Sequence, residues 1–291
     1  MLSRTSNCRH GRHGTRVGNL ARVPGAAEYV HGYSPAESIR LTDQATALAG
    51  LLHGGTRYPA GSQVLEAGCG TGAQTVILVA GSPEAEFTSI DLSSPSLAEA
   101  ARQVRLAGYG NVRFLQADIF RLPFESSCFD HVFACFVLEH LSEPVTALRA
   151  LMNVLKPGGS VTVIEGDHGS AYFHPTSDHA SRAIQCLIDL QQRAGGDALI
   201  GRRLYPLLVK AGFRDVHVAP RIVYADGSRP DLAESFTLKT FTAMVEGVAE
   251  QAIGQDLIDE ASWSAGIRAL QRAAGRDGTF CYTFFKAVAF R

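Results

Sequence analysis

Gln63-Val64-Leu65-Glu66-Ala67-Gly68-Cys69-Gly70-Thr71-Gly72 is the stretch on which the reading of this chain turns. Apolar residues lead to an acid, and three glycines follow at every second position. Val64 and Leu65 read as a short buried strand, with Glu66 at its carboxyl end, where open α/β sheets bind ligands. The glycines let the backbone turn tightly and approach a ligand that a Cβ would push away. Thr71 to Ala80 then reads as the helix that follows. A dinucleotide-binding turn is the nearest rival, because a lone glycine-rich turn matches loosely. Two features oppose it. The third glycine comes two residues after the second instead of three, and an acid before the first glycine would face a diphosphate. For a cationic, amine-bearing ligand the same acid is favourable.

Beyond this turn, short apolar runs alternate with helical stretches, which implies a mainly parallel sheet with helices on both faces. Phe87 to Ile90 reads as a second strand ending at Asp91. That acid lies 25 positions after Glu66, about the spacing at which such folds place a carboxylate on ribose hydroxyls. A carboxylate accepts both protons of a vicinal diol. Capping the helix from Pro95 to Leu106 is the other use for Asp91, although Ser93 and Ser94 serve that purpose too. Asn111 to Gln116 reads as a third strand before Ala117-Asp118-Ile119, and Phe129 to Phe136 as a fourth. Leu155-Lys156-Pro157-Gly158-Gly159 ends a helix, with Gly158 as its left-handed cap, and opens a β-branched fifth strand over Ser160 to Ile164. Arg203 to Ala211 reads as a helix, Val216 to Tyr224 as a sixth strand and Phe280 to Phe290 as a final alternating strand.

The E-x-G-x-G-x-G run, the acids at Asp91 and Asp118 and the L-K-P-G-G turn cover roughly residues 60 to 165. In this order they resemble the class I S-adenosylmethionine (SAM) dependent methyltransferases. The resemblance implies an α/β, Rossmann-like, seven-stranded and mainly parallel sheet with helices on both faces and an antiparallel last strand. It implies SAM as cofactor, S-adenosylhomocysteine as its product, and no metal. The cofactor would be held by Glu66, Gly68, Gly70, Gly72, Asp91, Leu92, Asp118, Ile119 and Cys135. Asp118 would accept from the adenine amine while Ile119 packs on the ring. In many small-molecule members an N-terminal tyrosine closes over the methionine end, which points to Tyr33, with Arg40 near the carboxylate. The Asn/Asp-Pro-Pro-aromatic turn that marks base-amine methylation is absent after strand four, so nucleic-acid bases are not expected acceptors.

Composition is ordinary for a soluble globular protein: 46% hydrophobic, 19% charged and a formal net charge of -1. Such a balance gives no general attraction to nucleic acid or to an anionic membrane. No apolar run is long enough to span a bilayer, and no signal-like core opens the chain. Six scattered cysteines form no C-x-x-C pair, so neither zinc nor a disulfide framework is expected and a reduced, cytoplasmic protein is the simplest account. The expected division is a disordered basic tail (1–25), an N-terminal helical cap (26–60), the SAM-binding core (61–225), a helical insert (226–278) and the final strand (279–291). The insert reads as extra core or as a substrate lid beside the strands' carboxyl ends.

Acceptor chemistry is expected from two segments. Tyr29, His31 and Tyr33 put three polar rings before a helix, to pack it on the sheet or to line the acceptor site. Glu165-Gly166-Asp167-His168 falls at the end of strand five, where Asp167 would hold the tautomer of His168 and make it a general base. Tyr33 joins them as a catalytic residue, and Phe136, Tyr172 and His174 as pocket lining. Glu139 and His140 are ambiguous. Y-V-H-G-Y-S together with E-G-D-H-G-S-x-Y-F-H-P resembles a branch that includes bacterial natural-product C-methyltransferases. Those enzymes act on carbon 3 of tryptophan-derived indoles, which implies an indole acceptor and secondary metabolism. O- or N-methylation of a small phenol or amine is the alternative, and a SAM-binding protein without turnover is a third.

Overall fold

The computed structural model describes Ala45 and residues 48–291. The basic tail, most of the helical cap and Tyr29, His31, Tyr33 and Arg40 lie outside the described residues. Seven strands form one sheet: β1 (Gln63–Ala67), β2 (Glu86–Asp91), β3 (Val112–Gln116), β4 (Phe129–Cys135), β5 (Leu155–His174), β6 (Arg214–Asp226) and β7 (Thr279–Phe290). Their order is β3-β2-β1-β4-β5-β7-β6. Only β7 runs antiparallel, between β5 and β6, and the rest of the sheet is parallel, as the resemblance implied. The strand order reverses between β1 and β4. Above that point the connections diverge and leave a crevice, where open α/β sheets take their ligands.

Both faces of the sheet are covered, which explains strands that read as unbroken apolar runs. On one face Val64, Phe87, Phe133, Ile164, Phe280, Tyr282 and Phe284 pack with Leu48, Leu52 and α4 (Asp178–Arg193). On the other, Leu65, Ala67, Ile90, Val132, Val161 and Val163 meet α3 (Pro144–Val154) and α5 (Leu204–Ala211). The first cluster also takes in the insert. Its short helical segments between Pro230 and Gly254 bury Phe236 and Phe241 against Phe280 and Tyr282. Its last helix, α6 (Glu260–Ala273), lies on α4 so closely that a Cβ on Gly266 would meet the His179 carbonyl at 2.6 Å. The insert thus packs into the first cluster.

Two local readings need correction. The helix before β5 ends at Val154, and Leu155 is already extended. Gly158, at φ 78°, lies within β5, between the residues that pair with Phe129 and His131 where the register shifts, and caps no helix. β5 also runs ten residues beyond Ile164, because β7 pairs with it as far as His174–Thr279 after an irregularity between Asp167 and Tyr172. Polar residues beyond Ile164 hid this extension from a reading by β-branched runs.

The glycine loop leads into α1 (Ala73–Gly81), which packs on α2 (Ser94–Leu106). Gly72 stands at φ 86°, and a Cβ there would lie 2.8 Å from both Cα and Cβ of Ala100. Gly72→Ala should therefore lower unfolding stability by about 2 kcal/mol or more. Urea denaturation measures it, and an unchanged midpoint would show that α1 and α2 are less tightly apposed than this.

Candidate active site

β1 ends under the loop it feeds. Glu66 is 2% exposed, and its Oε2 accepts from Thr75 in α1 (2.7 Å) and Ser89 in β2 (2.6 Å). The carboxylate expected to face a cationic ligand is turned inward, because residue 66 shares its face of the strand with Val64, beneath α1. Burial, opposed by the two hydroxyl donors, pushes its pKa from 4.5 up to about 7. The loop above hangs from β2: Gly68 and Cys69 donate to the Ile90 carbonyl at 2.8 and 3.0 Å. Asp91 completes the suspension, accepting from Gly70 N–H (2.9 Å) and Ser93 N–H (2.8 Å). Ser93, as its alternative role required, caps α2 by accepting from Ser96 N–H.

These residues fit an adenosyl nucleoside. Gly70 has φ 51° and nothing within 4 Å of where a Cβ would be, so the backbone faces open space at the crevice. Each Asp91 oxygen accepts one backbone N–H and keeps lone-pair capacity for a diol. Leu92 is exposed beside it, at 43%. After β3, Asp118 accepts from Phe120 N–H (2.9 Å) while Ile119 is buried. Cys135 closes β4 with its thiol pushed well up by burial and by Glu165, which makes it an apolar wall and not a nucleophile. Among the described residues, no cluster of His, Cys, Asp or Glu is arranged to hold a metal.

Phe136 directly follows β4. It takes a left-handed backbone (φ 58°), uncommon for a bulky residue and a pointer to function, and its ring lies 5.5 Å from Phe284. His168 is 5% exposed. Its Nδ1 is 2.7 Å from the Tyr282 hydroxyl, and its Nε2 is 3.9 Å from Glu139 Oε2. Gln191 in α4 donates to the same Glu139 oxygen at 3.1 Å. Asp167 does not orient His168. Neighbouring residues of a strand face opposite ways, and Asp167 is held by Arg202 at 2.6 and 2.7 Å and by Gly169 N–H. Tyr172 and His174 are exposed and pair with Cys281 and Thr279, on the side of β7 away from Phe280 and Tyr282. They line no part of this pocket wall.

Sequence reading missed Tyr282, Gln191, Glu165 and Lys286. The alternation Phe280-Tyr282-Phe284-Lys286 places a phenol and an amine on an otherwise apolar face, which was a usable signal; Gln191 in an amphipathic helix gave none. Lys286 is 6% exposed and donates to Thr56 Oγ1 (2.5 Å) and the Gly54 carbonyl (3.0 Å), with its pKa brought down to about 8 chiefly by burial. It fastens the segment entering β1 to the final strand.

Known proteins bear on this crevice directly. Residues 65–163 match the family model of a methyltransferase domain. Over 106 residues the chain is 38% identical to the demethylmenaquinone methyltransferase of Staphylococcus aureus, covering 36% of this chain and 43% of that protein. The chain thus spans less than half the length of the curated relatives it matches. The fold is shared with a phosphoethanolamine N-methyltransferase of Haemonchus contortus in complex with SAM (TM-score 0.51, 17% identity, 86% of this chain and 52% of that one). A geranyl diphosphate methyltransferase bound to SAM has it as well (0.53, 15%, 92% and 96%). So does the [4+2]-cyclase SpnF (0.51, 22%, 93% and 87%). The methyltransferase-domain match begins inside β1 and ends inside β5, so it takes in the glycine loop, Asp91, Asp118 and Phe136. It stops before His168, Gln191 and the insert.

Two outcomes follow from the cofactor side. Gly70→Ala meets no atom and should cost only about 1 kcal/mol of stability, the left-handed penalty. It should weaken S-adenosylhomocysteine binding at least tenfold in calorimetry; undiminished affinity would place the ligand elsewhere. Glu66 favours its neutral form in the fold, so its contribution is fully present below about pH 4.5 and is lost as pH rises towards 7. Glu66→Gln should flatten that decline, on the order of 3 kcal/mol, in urea titrations across the window. An equally steep fall in the variant would assign it to other groups.

Proposed function

We propose that this chain binds SAM over β1, β2 and β3 and passes its methyl group to a small-molecule acceptor above β4 and β5. One observation carries the reading: the methyltransferase-domain match falls on the crevice where an open glycine backbone faces two ribose- and adenine-suited acids. Gly68, Gly70 and Gly72 would bring the backbone against the cofactor, Asp91 would accept its diol and Asp118 its adenine amine. Leu92, Ile119 and Cys135 would supply apolar contact, and Tyr33 and Arg40 the methionine end. Glu66 serves by bracing the loop. When bound, SAM supplies an electrophilic methyl group on a positively charged sulfur.

For the acceptor we favour carbon 3 of a tryptophan-derived indole. The Phe136, Tyr282 and Phe284 rings suit a planar bicycle, and orientation against them would provide most of the acceleration. Attack of that carbon on the methyl group would release S-adenosylhomocysteine and leave the positive charge on the indole nitrogen. Its N–H proton passes to His168. Tyr282 fixes the orientation of that ring, and Glu139 Oε2 lies 3.9 Å from its other nitrogen. Tyr33 would assist from the N-terminal side, while Asp167, bound to Arg202, keeps the end of β5 in position. The same His168–Tyr282 pair could take the proton of a phenol, which supports O-methylation as the second reading.

Labelled SAM offered with indoles, phenols and amines tests the choice: label on carbon supports the first reading and label on oxygen or nitrogen the second. His168→Ala should lower kcat by roughly 100- to 10,000-fold while S-adenosylhomocysteine affinity stays within about twofold. Normal turnover at saturation with weakened cofactor binding would remove His168 from the role of base.

A further inference from the structure

Gln191 is 1% exposed on a helix whose other buried residues are alanine, isoleucine, leucine and cysteine. A buried amide in such a setting lowers stability unless hydrogen bonds offset its lost hydration. Its amide nitrogen donates twice to one residue, to the Glu139 carbonyl at 3.2 Å and to Glu139 Oε2 at 3.1 Å. Its own Oε1 has no partner. A leucine would pack here without that cost, so the glutamine is explained by what it does to Glu139. The main chain of Glu139 is fixed as well. Asp197 N–H donates to its carbonyl at 2.8 Å. From the other face of the sheet, Glu165 Oε1 accepts from Val137 (3.0 Å) and Leu138 (2.7 Å), the two residues before it. Held in this way, Glu139 Oε2 lies 3.9 Å from His168 Nε2, and its Oε1 lies 3.7 Å from His140 Nε2.

We propose that Glu139 is the carboxylate partner of His168, and that Gln191 is the positioning residue that keeps it beside the ring. This rests on the methyl-transfer reading and supplies the counter-charge that Asp167 does not. When the acceptor's proton adds to His168, the imidazolium donates at both nitrogens. Nδ1 has the Tyr282 oxygen at 2.7 Å, and Nε2 is on the Glu139 side. At 3.9 Å the attraction is between charges and not through a hydrogen bond. It is strong where water is scarce, and His168 and Glu139 are 5% and 9% exposed. Among the described residues, the other titratable groups around the ring are Tyr282 from β7 and His140 beyond Glu139. α4 presents the uncharged Gln191, and the insert presents the Phe241 ring at 6.3 Å. Asp167, paired with Arg202, and Glu165 lie on the opposite face of the sheet.

The test follows His168 by NMR in the full chain, labelled at histidine and saturated with S-adenosylhomocysteine. Loss of the signal in His168→Ala assigns it. Glu139→Gln keeps an acceptor oxygen for Gln191 and removes only the charge. It should move the His168 titration midpoint down by about one pH unit or more. Gln191→Leu keeps the charge but releases the carboxylate, and should move the midpoint in the same direction by a smaller amount. Asp167→Asn should move it less than Glu139→Gln does. Turnover of whichever acceptor takes the label from SAM should fall about tenfold in Glu139→Gln, with KM for SAM unchanged. If Glu139→Gln does not fold, Gln191→Leu carries the test. An unmoved or raised midpoint in Glu139→Gln, unchanged kcat, or a larger shift in Asp167→Asn overturns the pairing while the methyltransferase reading stands. An unmoved midpoint in Gln191→Leu overturns the role of Gln191. Failure to bind S-adenosylhomocysteine overturns the methyl-transfer reading itself and leaves the pairing measurable, because the titration needs no ligand.

Discussion

A carboxyl group with almost no access to water sits beneath the glycine loop, and the shape of the crevice follows from it. Glu66 joins the end of β1 to the first turn of α1 through Thr75 and to β2 through Ser89. Removing one partner of such a bond leaves a buried polar atom unsatisfied, which costs more than the bond contributes. From above, the loop is tied to β2 by Gly68, Cys69 and Gly70. The loop is therefore held on both sides before any ligand arrives, and a preformed backbone loses less entropy on binding. Asp91 takes part in the holding with the same two oxygens that would meet a ribose.

The parts of the fold that were legible were those where one residue type has one physical use. Three alternate glycines, acids at strand ends and β-branched runs fixed β1 to β4 within a residue or two. Alternation over Phe280 to Phe290 likewise located β7, found at Thr279–Phe290. Elements defined by their partners were harder to read. β5 reaches His174 because β7 is there to pair with it, a fact held in no local run. α4 went unread although Ser177 caps it and its buried face is long. Nothing in a single helix announces the surface on which it packs.

On the site, the same distinction holds. Asp167 and His168 are adjacent in sequence and were read as partners, yet strand geometry sends them to opposite sides. His168 instead meets Tyr282, 114 positions away, on a neighbouring antiparallel strand. Gln191 reaches Glu139 from α4, 52 positions away. Such long-range pairs decide proton chemistry, and the sheet register creates them. The glycine loop depends on contacts within some 25 residues of Glu66, which is why it was so much more readable.

The placement of β7 also bears on how the molecule comes to exist. It is the last strand to be synthesised, yet it lies between two earlier ones. Until it emerges from the ribosome, β5 and β6 cannot join, and the edge of β5 stays open over its full length. An open edge of that kind is a template for wrong pairing. Tyr282 and Lys286 ride on this same strand, so the partner of His168 and the fastening of the segment before β1 arrive together. A nascent chain would carry the tethered glycine loop well before His168 gained its Tyr282 partner.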